Sequence, residues 1–282
     1  MELLNVQGLC KQYPSFALKN VSFRLEAGYI MGFIGRNGAG KTTTLKSLLN
    51  LVRPDAGTVT VLGRDYYENE FWCKRQLGVV LGEFDYYNDK RLRTITDVTR
   101  RFYPEWDEAA YRSCLELFRL DETKRVKELS AGMRVKYALA LALSHNARLL
   151  ILDEPTSGLD PVSRDELLGV FQRIVEDGQH SILFSTHITS DLDKCADYIT
   201  YIKDGTILES CDKETFTEQY RLVQGRKVDR TAEVSALLLG CKETAFGFTG
   251  LIRTAELARL PAGLQIAPAD LESVMLYREK EV

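Results

Sequence analysis

Residues Gly35 to Thr42 read GRNGAGKT, a set of side chains and glycines suited to holding a triphosphate. The pattern G-x-x-x-x-G-K-[ST] needs glycines so that backbone N–H groups can turn inward toward phosphate oxygens. It also needs a lysine for the β- and γ-phosphates and a hydroxyl for Mg²⁺. Gly35, Gly38 and Gly40 supply the turns, with Arg36, Asn37 and Ala39 between them. Lys41 supplies the ammonium, and Thr42 and Thr43 the hydroxyls. The apolar run Tyr29 to Ile34 precedes the loop and a helical pattern from Lys41 to Leu51 follows it. That strand–loop–helix context separates a phosphate-binding loop from a glycine-rich turn beside a surface lysine.

The elements around this loop read as α/β. LLNVQGLCKQY and ALKNVSFRLEAG alternate like paired strands and form an antiparallel flap ahead of the phosphate-binding strand. RPDAG breaks the first helix, and TVTVLG is a further strand. From about Glu83 to Asn146 the texture becomes charged, aromatic and helical, as in a helical insertion. The core resumes at Leu149 to Leu152, an apolar run ending in Asp153 and Glu154. Such a run predicts a buried parallel strand with its polar residues at the carboxyl end, where open α/β sheets place their sites. Asp160 and Pro161 then have the types that start a helix, and Leu167, Val170, Phe171, Ile174 and Val175 recur at helical spacing before Gly178. SILFST is the next strand, and YITYI and TILES flank a hairpin turn at Lys203, Asp204 and Gly205. The remaining residues have a mixed α+β character, with helical AEVSALLLG and a closing DLESVMLYREK.

Composition narrows the function classes. The chain has 282 residues, 45% of them hydrophobic, enough for one large core and smaller appendages. A formal charge of -3 gives no electrostatic reason for a nucleic-acid partner, and no direct one is expected. No apolar run approaches the roughly 18 residues of a spanning helix, and MELLNVQGLCK lacks signal-peptide character. Any membrane role is therefore expected to run through a partner. The 6 cysteines form no C-x-x-C and the 3 histidines no ligand-spaced cluster with them, so reduced thiols are expected and a zinc site is not.

A phosphate loop alone suits kinases, GTPases and many ATPases. LSAGM at Leu129 to Met133, LLILDEP about 20 residues later, SGLD at Ser157 to Asp160 and STH at Ser185 to His187 complete a more specific set. In motif, order and spacing, residues 1 to 220 resemble the ATP-binding cassette family. The resemblance implies a P-loop NTPase core, a mostly parallel sheet flanked by helices. To this it adds an antiparallel β flap, a helical subdomain at about 83–146 and a small α+β extension over 221–282.

It also implies roles. ATP and Mg²⁺ are the expected cofactors, with Thr42 on the metal and Asp153 holding it through water. Glu154 resembles the catalytic base that orients the attacking water, His187 the switch histidine, and Lys41 with the backbone N–H groups the charge stabiliser. Ser130, Ala131, Gly132 and Met133 open a helix whose positive end forms an anion site. In the family this site meets the γ-phosphate held by a second cassette, and Asp160 resembles the acid linking the two sites. Three positions depart from the commonest pattern. Ala131 and Met133 replace a glycine and a glutamine of the signature. Glu83 stands where a glutamine is usual, as a metal contact or a loop acid. Tyr13 matches the aromatic that stacks on adenine, or packs within the flap.

A single cassette resembles the detached motor of a membrane transporter. Its partners would be a separate transmembrane permease subunit and a second cassette, as homodimer or heterodimer, at the cytoplasmic face of the membrane. Tyr86 and Tyr87 are candidates for the permease contact or for packing. Glu83, the GM of the signature and the tail resemble the bacterial exporter branch that includes bacitracin-type resistance and peptide export. The rival readings are a soluble cassette without a membrane partner and a cassette that closes on ATP without hydrolysing it.

Overall fold

The computed structural model describes residues 1–81 and 87–279, so Glu83 and Tyr86 lie outside the described residues. The chain opens with β1 (Glu2–Gln12), β2 (Ala17–Glu26) and β3 (Ile30–Ile34), then the phosphate loop and α1 (Lys41–Leu48). Next come β4 (Ala56–Val61), β5 (Arg64–Asp65), α2 (Glu70–Arg75) and β6 (Leu77–Leu81), followed by α3 (Leu92–Thr99), α4 (Glu108–Phe118) and α5 (Ala131–Ser144). The core returns with β7 (Leu149–Asp153), α6 (Pro161–Val175), β8 (Ser181–Thr186), α7 (Thr189–Cys195), β9 (Tyr198–Lys203) and β10 (Thr206–Asp212). The last stretch holds α8 (Lys213–Glu218), β11 (Tyr220–Gly225), α9 (Ala232–Leu237), β12 (Gly240–Glu243), β13 (Phe248–Arg253), β14 (Gln265–Pro268) and α10 (Leu271–Arg278).

Among the described residues the strands form three sheets. The central one runs β10-β9-β3-β8-β7-β6, parallel except where β10 pairs antiparallel with β9. Its inner strands β3, β7 and β8 are buried at every residue, which is why they read as continuous apolar runs. β2-β1-β4-β5 make the antiparallel flap, and a second antiparallel sheet, β12-β13-β11-β14, lies in the C-terminal stretch. The expected α/β core, flap, helical stretch and hairpin are all present. The first helix is shorter than its pattern suggests. It stops at Leu48 because Asn50 turns left-handed (φ 53) and the Leu51 N–H reaches back to the Lys46 carbonyl at 2.9 Å.

Inside the helical stretch, Thr96 of α3 lies 2.7 Å from the Tyr111 hydroxyl of α4 and 2.9 Å from the Tyr137 hydroxyl of α5. All three residues are buried, so one satisfied polar cluster fixes the relation of three helices. The C-terminal stretch is not a detached appendage. Leu251, Leu271, Val274 and Tyr277 belong to the same apolar cluster as Leu152 and Phe184 of the central sheet.

Candidate functional site

β3 delivers the phosphate loop, and Gly40 sets the start of α1. Its φ of 114 is one that L side chains rarely adopt, and a Cβ there would lie 2.8 Å from both Leu18 and Phe16. Having no side chain, Gly40 leaves the first N–H groups of α1 uncapped, and they are the donors an anion needs. Lys41 is almost fully buried. Its Nζ donates to the Gly35 carbonyl at 2.7 Å and lies 3.3 Å from Glu154 Oε1.

The acids come from the neighbouring strands. β7 and β8 pair in parallel with Asp153 beside Ser185, and β8 pairs with β3 so that Thr186 lies beside Ile34. This register carries Glu154 and His187 out of the sheet next to each other and next to the loop. The Ser185 hydroxyl donates to Asp153 Oδ1 at 2.5 Å and accepts from the Glu154 N–H at 3.0 Å. Thr42 donates to Asp153 Oδ2 at 2.8 Å. Glu154 takes a left-handed conformation (φ 50), and its Oε2 lies 2.8 Å from His187 Nδ1. That conformation is uncommon for a residue with a side chain, and it turns the carboxylate between the lysine and the histidine.

These groups face a cavity of about 610 Å³ lined by Arg36, Asn37, Gly38, Gly40, Lys41, Thr42, Thr43, Glu154, Ser157 and His187. Ser15 and Phe16 also line it. Tyr13 is half-buried, with Lys11 Nζ 5.9 Å from its ring centre, and is not among the lining residues. Its N–H donates to the Phe16 carbonyl at 2.8 Å, so the two aromatics share one turn between β1 and β2. Phe16 was not singled out in the sequence, because only the closure of that turn brings it to the loop.

Behind the cavity lies a second group that the motifs do not flag. Thr156 donates to Asp191 at 2.7 Å with both residues fully buried, and Arg164 Nε lies 3.8 Å from the same carboxylate. Thr156 follows Glu154 and Asp191 follows His187, so this contact braces the two segments that present the acid and the imidazole.

Ser130, Ala131, Gly132, Met133 and Asp160 are not among the lining residues. Ser130 caps α5, accepting from the Met133 N–H at 3.3 Å, and is exposed with Ala131. A Cβ at Gly132 would meet Leu159 at 3.5 Å, so this helix start abuts the start of α6. There Asp160 accepts from the N–H groups of Val162 and Ser163. Hydrogen bonds from Ser163 and the Val162 N–H hold its carboxyl below the usual range. At the other end of α5, His145 stacks on Tyr103 with centroids 3.8 Å apart. Burial pushes its imidazole down to about 4. His145 lines a groove of about 370 Å³ between the core and the helical stretch, together with Leu51, Lys74, Val79, Thr99 and Leu141.

Comparison with known proteins settles the family. The family model described as ABC transporter matches residues 18–157. The bacitracin transport ATP-binding protein BcrA of Bacillus licheniformis is 32% identical over 210 residues, covering 73% of this chain and 69% of that protein. The chain belongs to the ABC transporter family. This ABC ATPase is also 30% identical over 207 residues to the ABC transporter ATP-binding protein YtrB of Bacillus subtilis (strain 168), covering 73% of this chain and 70% of that one. The lantibiotic transport ATP-binding protein SrtF of Streptococcus pyogenes is 31% identical over 211 residues, covering 73% and 89%. A solved ATP-binding subunit of an ABC transporter superposes with a TM-score of 0.69 at 27% identity, covering 77% of this chain and 92% of that one. The ABC ATPase binds and hydrolyses ATP as its family does.

Proposed function

We propose that this chain is the ATP-driven motor of a bacterial exporter, paired with a second cassette and seated on a separate membrane subunit. The observation that carries the chemistry is the placement of Glu154, with one oxygen 3.3 Å from Lys41 and the other 2.8 Å from His187 at the wall of the phosphate cavity. The triphosphate lies along the loop from Gly35 to Thr43, held by its backbone N–H groups and by Lys41. The base stacks at the aromatic turn that holds Tyr13 and Phe16. Glu154 holds the attacking water and takes its proton, while His187 fixes the carboxylate and faces the transferred phosphoryl.

The paired oxygens of Thr42 and Asp153 are a hard donor set of the kind Mg²⁺ accepts beside phosphates and water. Bound there, the ion would neutralise charge on the phosphate oxygens.

The signature helix supplies the other half of the reading. At this helix start Ser130 and Ala131 are exposed, and none of Ser130 to Met133 lines the chain's own cavity. An anion carried by a second cassette suits it, with Asp160 at the same face. The nucleotide-binding unit then spans 1–220, with its helical subdomain at about 83–146, and residues 221–282 form the extension. Among the described residues no helix is long and apolar enough to cross a membrane. The groove lined by Leu51, Val79, Leu141 and His145 is the seat for a helix of the permease, which puts the chain at the cytoplasmic face of the membrane. Relatives named for bacitracin and lantibiotic transport support an amphipathic peptide as cargo.

Purification of the tagged chain from native membranes in mild detergent, with its stoichiometric companions identified by mass spectrometry, tests this reading. A multi-span membrane protein is the expected companion. Recovery with ribosomes or nucleic-acid proteins, and no membrane protein, overturns the exporter reading.

A further inference from the structure

The C-terminal stretch touches the phosphate loop itself. Arg36, the second residue of the loop, lines the phosphate cavity, and its Nη1 lies 3.7 Å from Glu279 Oε2, just past the end of α10. The two partners are held very differently. The carboxylate is largely buried, and its Oε1 accepts from the Tyr201 hydroxyl at 2.9 Å. Lys203 Nζ donates to the Arg278 carbonyl at 2.6 Å, which pins the same turn to β9. That hairpin also backs the loop. The Gly205 N–H donates to the Ala39 carbonyl at 2.9 Å, and a Cβ on Gly35 would fall 2.4 Å from the Ile202 carbonyl oxygen. Arg36, by contrast, has a side chain 69% exposed and free to swing.

An exposed guanidinium at the rim of a triphosphate cavity has two anionic claimants. Glu279 offers one carboxylate at a long distance, a weak contact for an exposed pair. A triphosphate offers more charge and the paired oxygens that a guanidinium fork fits.

We propose that the two compete. Glu279 is a positioning residue that sets how available Arg36 is to nucleotide, and ATP, by drawing Arg36 away, loosens the end of α10. The C-terminal stretch thereby reports whether the loop is occupied. The coupling is reciprocal, because whatever ATP does to the Glu279 contact, that contact does to ATP affinity. This inference rests on the reading of the loop cavity as the ATP site.

The test uses the full chain. ATP titration by calorimetry is expected to show Glu279→Gln, which keeps a partner for Tyr201, binding about two- to five-fold tighter than the parent at low salt, with the gain shrinking as salt rises. In an Arg36→Gln background, where the exposed side of the contact is removed without touching the core, the same Glu279→Gln change should do nothing. Hydrogen exchange at residues 275–279 should quicken on adding ATP to the parent and stay unchanged in Arg36→Gln. Parent-like ATP affinity in Glu279→Gln, the same gain in both backgrounds, or exchange at 275–279 indifferent to ATP each overturns the coupling. Lys41→Ala separates the two levels. If it loses ATP binding while Glu279→Gln changes nothing, the coupling fails and the site stands. If it binds ATP like the parent, the site assignment itself fails.

Discussion

Two helix starts in this chain, both proposed here to meet anions, are furnished differently. α1 opens at Gly40, which has no side chain to occupy its N–H groups, with Lys41, Thr42, Asp153, Glu154 and His187 around it. α5 opens at Ser130, whose hydroxyl already takes one N–H, and Leu159 and Ser163 are its uncharged neighbours at Gly132. Both carry the positive end of a helix dipole. Only the first also carries groups that can move a proton and orient water, so in the proposed function one end performs chemistry and the other contributes binding. That asymmetry supports the proposed pairing of two cassettes: each chain has one end of either kind, and the Ser130 end does not line the cavity of the first.

The largest expected effect falls on the chemical end. Glu154→Gln should lower ATP turnover by about 10²- to 10⁴-fold. Nucleotide binding should survive, and an ATP-dependent dimer should persist in size-exclusion chromatography. Unchanged turnover would remove Glu154 from its role and erase the distinction between the two ends. Thr156→Val tests whether the chemical end is braced from behind. It leaves the buried Asp191 without its 2.7 Å donor and should cost about 1–3 kcal/mol in urea melts. Loss of turnover beyond the loss of folded protein would show that the brace also aligns Glu154 and His187.

At the binding end, Ser130→Ala should cost about 1 kcal/mol of stability through the lost cap. Monomeric ATP affinity should stay at the parent value, while turnover drops because the facing phosphate loses a donor. An equal drop in monomer affinity would contradict the assignment of this helix start to a second copy's nucleotide.

The smallest effect is a pH dependence at the far end of α5. Burial holds His145 at about 4, below the roughly 6.5 of a free imidazole. Between these values the unfolded chain takes up a proton that the folded chain refuses. The stability is therefore complete above about pH 6.5 and is lost as pH falls toward the folded value. Thermal melts over that window should show the decline in the parent and a flatter profile in His145→Phe, which keeps a ring against Tyr103.

Much of the proposed site is legible in the chain as written. Glycine spacing specifies the loop, an apolar run ending in acids specifies β7, and Asp160 with Pro161 specifies the start of α6. These signals are local, so they survive without knowledge of the fold. The brace between Thr156 and Asp191, and the bridge from Arg36 to Glu279, leave no such mark. Their partners are far apart in sequence, and nothing in either residue type announces the other.

The sequence by itself determined that the protein has a phosphate loop, acids at a buried strand end, a capped signature helix and an α/β core, because each depends on spacing within a few residues. Only the tertiary structure decided that Phe16 lines the cavity, that Glu154 stands between Lys41 and His187, and that α10 ends against Arg36. Those facts depend on strand register and on the closing of one layer over another, which bring together side chains the sequence keeps apart.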